Sequence, residues 1–397
     1  MFATPSRRSL EPYSALFHIM PLSCQRHLFD SPDDITYLNC SYFGPLSRPV
    51  IEAARTALAH RAQPWSISTE DFFEPVEEAR RLFARLVGGD AEGVSLVPSV
   101  SYGIALAAKN LELEKGQEIV VLAEQFPSNV YAWRDLAERT DGRLRTVARS
   151  EQGDWTAALL AAIGEQTAIV AIPHCHWTDG GLIDLVRVGE RARQVGAALV
   201  VDGCQSVGAL PLRVDEVQPD FVVTASYKWL LGPYTLGFVW MAPKHRQGHP
   251  LEHNWIIRAN RRDFAALVRY TDEPAPGARR FDMGEVSNFA LMPVVIAALE
   301  QTLGWGVEEI QRYLRRLTDL IADGAEKIGL QVAPRELRAG HMIGLRLAGR
   351  DPQEVAAALA RARVHVSVRG DSVRVAPHVY NDEGDVARLL EVFTKTV

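Results

Sequence analysis

Short apolar, β-branched runs recur through the middle of the chain, separated by stretches in which apolar residues fall at helical spacing. The runs are Glu118–Leu122 (EIVVL), Thr167–Ile172 (TAIVAI), Ala198–Val201 (ALVV), Phe221–Thr224 (FVVT) and Gly237–Met241 (GFVWM). Between them, WRDLAERT, WTAALLAAIGE and LVRVGERARQVG place apolar side chains three and four positions apart, the period of an amphipathic helix. Strands alternating with helices predict βαβ units and a mostly parallel sheet. The runs are continuously apolar, so the sheet is expected to be covered on both faces.

The pattern changes after the Pro-, Gly- and Ala-rich segment TDEPAPGARR (271–280), which reads as a connection. A long helical stretch follows, MPVVIAALEQTLGWGVEEIQRYLRRLTDLIADGAEKIG. Then come short strand-like runs (HMIGLRLA, VHVSVRG, SVRVAPH) and a final helical segment, DEGDVARLLEVFTKTV. The expected organisation is an N-terminal arm (1–35), a large α/β domain (36–285) and a smaller C-terminal α+β domain (286–397).

Composition narrows the function without naming it. The 397 residues include 43 Lys plus Arg and 49 Asp plus Glu, a formal net charge of −6, with 47% hydrophobic and 23% charged residues. That balance is ordinary for a globular protein and argues against a nucleic-acid or membrane-surface partner. No run reaches the roughly 18 apolar residues of a membrane helix. The first 24 residues lack the continuous apolar core of a signal peptide. Four cysteines with no CxxC pair predict neither a disulfide framework nor a structural metal site, and a cytoplasmic location is the expectation.

The chemistry concentrates in ALVVDGCQSVGALPL and DFVVTASYKWLLGPYTLGFVW. One apolar run ends in Asp202, and the next leads into Ser226, Tyr227 and Lys228. Ligands of open α/β sheets bind beyond the carboxyl ends of strands, so an acid and an amine are placed to meet one ligand. Pyridoxal phosphate needs such a pair: a lysine for the Schiff base, and a carboxylate that keeps the pyridine nitrogen protonated so that the ring acts as an electron sink.

The order VVDGCQSVG, then SYKWLLGP, resembles the class V aminotransferase group of fold-type I pyridoxal-phosphate enzymes, which includes cysteine desulfurases, kynureninase and isopenicillin N epimerase. The resemblance runs from about Tyr37 to the C-terminus and implies a mostly parallel sheet of seven-stranded type. It implies Lys228 as the Schiff-base lysine and proton carrier, Asp202 as the pyridinium partner, and Gln205 on the cofactor's phenolic oxygen. Val97-Pro-Ser-Val-Ser-Tyr-Gly supplies the phosphate-binding helix start, with Val100 and Ser101 as contacts and Ser226 and Tyr227 completing the cradle. The same serines suit ordinary helix capping. Phe126, in EQFPSNVYAW, takes the place of a ring stacked on the cofactor, where desulfurases carry histidine. Trp177, in IPHCHWTDGG, stands where an asparagine is common.

The segment RRFDMGEVSNF matches a loop that reaches the phosphate of a neighbouring subunit. It implies a homodimer with shared sites, with Ser287 or Asn288 as donors and Glu285 replacing a threonine. Arg374 and then Arg369 are the candidates for the substrate carboxylate. His174 and His176 share a strand face and read as a structural pair rather than metal ligands. Only Gly-Asp-Ser-Val separates Arg369 from Arg374, and no cysteine follows Cys204, which argues against a persulfide-carrying desulfurase. The resulting expectation is an aminotransferase acting on an α-amino acid. A β-lyase of kynureninase or cysteine-lyase type, an epimerase and a non-catalytic cofactor-binding protein are the alternatives.

Overall fold

A computed structural model describes residues 21–347 and 349–396; most of the N-terminal arm expected from the sequence, residues 1–20, lies outside them. The centre is a seven-stranded sheet in the spatial order Val94–Val97, Gly237–Met241, Phe221–Ala225, Ala198–Asp202, Thr167–Pro173, Glu118–Leu122, Arg143–Val147. Only the Gly237–Met241 strand runs against its neighbours. The five apolar runs read from the sequence are all strands of this sheet, most of their residues fully buried. The two strands not anticipated lie at its edges. Arg143–Val147 (RLRTV) is largely exposed, so its pattern is mostly polar.

Helices cover both faces and start where short polar side chains can cap them. Asp154 accepts from Ala157 N at 3.1 Å, Asp184 from Arg187 N at 3.1 Å and Ser99 from Tyr102 N at 3.2 Å. The helix Val100–Asn110 lies close on the sheet because Gly103 has no side chain. A Cβ there would stand 2.5 Å from Val223 and 2.8 Å from Val239.

The long C-terminal helical stretch is two helices, Met292–Trp305 and Val307–Lys327, broken at Gly306 with φ +78°. The first buries Met292, Val295 and Leu299 in the core of the seven-stranded sheet, while the second turns Ile310, Leu314 and Leu317 into a separate core. The change of core thus falls at Gly306, beyond the 285/286 boundary read from the sequence. The Pro-rich 271–280 segment is likewise packed, with Ala275 and Ala278 fully buried and Arg279 paired to Glu77 and Glu92.

The smaller core contains a four-stranded antiparallel sheet in the order Ser367–Arg369, Ser372–Val375, Ile343–Arg346, Gln331–Val332. The helices Pro352–Arg361 and Glu383–Thr396 complete it. The N-terminal residues join this unit: Thr36 and Tyr37 pair in parallel with Val364 and His365.

A buried ion pair fixes the edge strand that leads to Val100. Arg80, 1% exposed, donates to Asp282 Oδ2 at 2.7 Å and also to the Val94 carbonyl, while Asp282 Oδ1 accepts from Leu96 N at 2.9 Å. Removing Asp282 leaves the buried Arg80 with Glu77, 3.5 Å from its Nε, as its remaining ion-pair partner and leaves Leu96 N without its acceptor, and breaking a buried pair in this way is costly. Asp282→Ala is therefore expected to destabilise the protein by about 3–5 kcal/mol in denaturant unfolding, and a loss below 1 kcal/mol would contradict this role.

Candidate active site

The parallel pairing of Ala198–Asp202 with Phe221–Ala225 aligns Asp202 with Val223. Both strands therefore end at the same rim, and the chain running on from Ala225 brings Lys228 to Asp202. The turn holding the lysine is pinned from the N-terminal segment. Gly44 N donates to the Tyr227 carbonyl at 2.9 Å, and Cys40 Sγ lies 3.5 Å from the Lys228 carbonyl. A Cβ on Gly44 would approach the Lys228 carbonyl oxygen to 2.3 Å, so the approach requires glycine.

Together these residues border a cavity of about 460 Å³. Val100 and Ser101 stand at one side, Phe126 and Trp177 form an aromatic wall, and Asp202, Gln205 and Lys228 complete the lining. Phe126 meets Trp177 edge-on at 5.3 Å, and Lys228 Nζ lies 5.6 Å from the Phe126 ring centre. Trp177 Nε1 is held by the Glu124 carbonyl at 2.7 Å.

The electrostatics are those of charges removed from water. Asp202 is 5% exposed. Burial raises its pKa above the usual carboxylate value, against the opposing pull of the Cys204 N–H (2.9 Å) and Lys228. Burial works to lower the Lys228 pKa, but Cys204, Tyr227 and Asp202 outweigh it and leave the amine above its ordinary value. No carboxylate lies within ion-pair distance of Lys228 among the described residues.

The donor set fits pyridoxal phosphate. Ser99 spends its hydroxyl on capping, leaving the first-turn amides of Val100 and Ser101 without intrahelical acceptors, and a helix start of this kind accepts an anion. A buried acid for a pyridine nitrogen, an amine for a carbonyl and an aromatic face are present in the same cavity.

Several candidates stand elsewhere or are already engaged. The Ser226 hydroxyl, expected in the phosphate cradle, is fully buried between the carbonyls of Pro233 (2.6 Å) and Leu236 (2.7 Å) and ties down the turn after the lysine. Tyr227 does line the cavity. Ser287 and Asn288 border a different pocket together with Glu285; Ser287 donates to the Phe72 carbonyl and Asn288 caps the turn at Ala290 and Leu291. Within one chain they are not part of the Lys228 site. Arg374 is 1% exposed and sits behind Trp177, donating to its carbonyl at 2.6 Å and to Ser367 Oγ at 3.2 Å. Arg369 lies 5.6 Å from the Trp177 ring centre. Both ring nitrogens of His176 are used, on Thr178 Oγ1 (2.7 Å) and the Ala123 carbonyl (3.1 Å).

Other residues of the site escaped the sequence reading. Tyr234 and Thr235 line the cavity from the turn after Lys228, and Thr235 does so at φ +63°, strained for a β-branched residue. Gln125 holds the Phe126 loop by donating to the carbonyls of Asn129 (2.6 Å) and Ala171 (3.1 Å). The Leu-Leu-Gly-Pro-Tyr-Thr-Leu-Gly composition signals a turn, but nothing in it says which side chains face inward.

The chain belongs to the class V aminotransferase family, whose model matches residues 48–389. It is 28% identical over 373 residues to isopenicillin N epimerase of Streptomyces clavuligerus, covering 90% of this chain and 94% of the relative. It is 24% identical over 311 residues to kynureninase of Geobacillus thermodenitrificans, covering 75% and 72%. Among solved structures, the apo cysteine desulfurase of Thermococcus onnurineus superposes with a TM-score of 0.82 at 20% identity, covering 94% of this chain and 97% of that one. This last likeness speaks for the fold.

A carboxylate whose pKa is raised by folding costs stability once it ionises, and that cost disappears as pH falls below the raised value. Asp202→Asn removes the charge and keeps an acceptor for the Cys204 N–H. In protein stripped of cofactor, the variant is expected to melt no lower than the parent at pH 7, while cofactor-dependent activity falls about 100-fold or more. A melting point several degrees below the parent would contradict a charge held there at a cost.

Proposed function

We propose that this chain is a pyridoxal-phosphate-dependent aminotransferase acting on an α-amino acid. The observation that carries the reading is that Lys228 is the one amine among the described residues lining a cavity that also holds a buried acid and a helix N-terminus. The bound cofactor supplies an electron sink that makes the Cα proton of an attached amino acid acidic.

The protein's part is placement. The amides of Val100 and Ser101 would hold the phosphate, and Asp202 would keep a proton on the pyridine nitrogen. Phe126 would shield one side of the site from water. Lys228 Nζ would take the Cα proton and could deliver it on the same face to the carbon across the imine nitrogen, a transfer that would need a single base. Arg374 supplies the anchor for the substrate carboxylate. It is buried and, among the described residues, has no carboxylate partner within ion-pair distance. Burial, reinforced by the nearby Arg369, pulls its pKa down to about 9. A guanidinium so placed favours an anion, and its Nη2 and second Nη1 proton remain for one.

Epimerisation is the second reading, favoured by the 28% identity to isopenicillin N epimerase; it requires a proton carrier on the face opposite Lys228. The proposed assembly is a homodimer, in which the partner's copy of the 284–288 loop reaches this cavity. Tyr42 (58%), Phe43 (41%) and Tyr234 (57%) are exposed, and Tyr234 is at the cavity itself. Among the described residues no helix is long and apolar enough to cross a membrane.

Purified protein is expected to show a visible absorbance band that Lys228→Ala abolishes, and to accumulate pyridoxamine phosphate with one or more amino acids of a panel. Scrambled chirality without pyridoxamine phosphate would instead establish epimerisation, and a band with no turnover a binding protein. Arg374→Ala is expected to raise KM for the amino acid about 10- to 100-fold, the loss of a charge-assisted contact. Light scattering should give a mass near twice the 43.9 kDa of one chain; a monomer would overturn the shared site.

A further inference from the structure

Gln205 enters the cavity with its amide already oriented. Its Oε1 accepts from Trp229 Nε1 at 2.9 Å, and its Nε2 donates to the Ser41 carbonyl at 3.0 Å. Neither partner can reverse its role: an indole N–H only donates and a backbone carbonyl only accepts. The ambiguity that normally attends an amide side chain is therefore resolved by chemistry. One Nε2 proton remains for whatever occupies the cavity.

Trp229 is itself over-determined. It is 1% exposed, its carbonyl accepts from His378 Nε2 at 3.2 Å, and its ring meets His341 edge-on at 4.4 Å. His341 Nε2 in turn donates to the Gln205 backbone carbonyl at 2.6 Å. Lys228 and Trp229 are consecutive, so one stretch of backbone sets both the amine and the amide.

We propose that Trp229 is a positioning residue which, through its indole N–H, forces Gln205 to present a hydrogen-bond donor to the cofactor's phenolic oxygen. The inference rests on the pyridoxal-phosphate reading of the cavity. Without the indole, only the Ser41 carbonyl still orients the amide, so the amide spends more of its time with its carbonyl turned toward that oxygen, replacing a donor with a repelling acceptor. His341 and His378 are held neutral by burial, with pKa values near 4 and 3, so neither titrates in the range of the test. The groups around the cavity that do carry ionisable protons are Lys228, Asp202, Cys175, Cys204, Tyr227 and Tyr234, and none is replaced by the substitutions below.

A donor on the phenolic oxygen withdraws charge from it and so lowers the pH at which the Lys228–cofactor linkage loses its proton. The test is a pH titration of the visible band in parent, Trp229→Phe, Gln205→Leu and the double variant, each loaded with cofactor. Each single variant is expected to move the midpoint up by about one unit, and the double variant no further than Gln205→Leu alone. A Trp229→Phe shift that persists undiminished in the Gln205→Leu background, or no shift in Trp229→Phe, would overturn the proposal. Should Trp229→Phe not fold, Trp229→Met is the second variant that removes the indole N–H; it is then expected to raise the midpoint in the same direction and to add nothing in the Gln205→Leu background, and an unchanged midpoint overturns the proposal. Failure of the cofactor reading is separate, because the parent would then show no band at all.

Discussion

The site depends on one constraint: two parallel strands of a sheet covered on both faces must end together. The pairing of Ala198–Asp202 with Phe221–Ala225 fixes where each strand stops. The residues that follow emerge at a rim where backbone groups are no longer committed to the ladder. An acid and an amine placed there lie side by side, yet partly out of water, because helices and the N-terminal segment close over them. The helix beginning at Val100 brings its free amides to the same rim, since its preceding strand runs in the same direction. Amine, acid and anion-binding helix start are thus three consequences of a single sheet direction.

That placement is costly in isolation. Asp202 and Arg374 are each almost fully buried with no opposite charge within ion-pair distance among the described residues, and burial shifts both away from their ordinary protonation behaviour. Such charges are stable where the surrounding structure is strong enough to impose them and where a ligand completes them. Around the cavity that support is visible. Asp179 takes Arg149 through both guanidinium nitrogens at 2.7 and 2.8 Å, and Arg346 at 2.9 Å. This joins the loop carrying Trp177 to the antiparallel sheet that carries Arg374. The lysine turn is fixed by Gly44, and Gln205 by Trp229, Ser41 and His341.

The fold was largely legible because its physics is periodic. Buried strands appear as continuous β-branched runs, and covering helices as three–four spacing, so five of the seven central strands could be read directly. Edge strands such as Arg143–Val147 lack that signal because one side faces water. The change of core at Gly306 lies beyond the composition-based break at 271–280 for a related reason: that segment looks like a linker, but Arg279 and Phe281 pack it onto the large core. Residues Asp202, Gln205 and Lys228 were legible because they follow strands at short range, and the cavity brings them together with Val100, Ser101, Phe126, Trp177 and Tyr227. The engagement of Ser226 and the role of Trp229 were not, because each depends on which of several nearby partners a hydrogen bond selects. Local sequence does not encode that choice.

Lys228 alone among the chain's six lysines is expected to form the covalent link to pyridoxal phosphate. Borohydride reduction of the cofactor-loaded protein, followed by peptide mass spectrometry, tests it most directly. One reduced phosphopyridoxyl group per chain is expected, located on the peptide containing Ser226, Tyr227 and Lys228. A label on any other lysine, or no label in protein saturated with the cofactor, would contradict it.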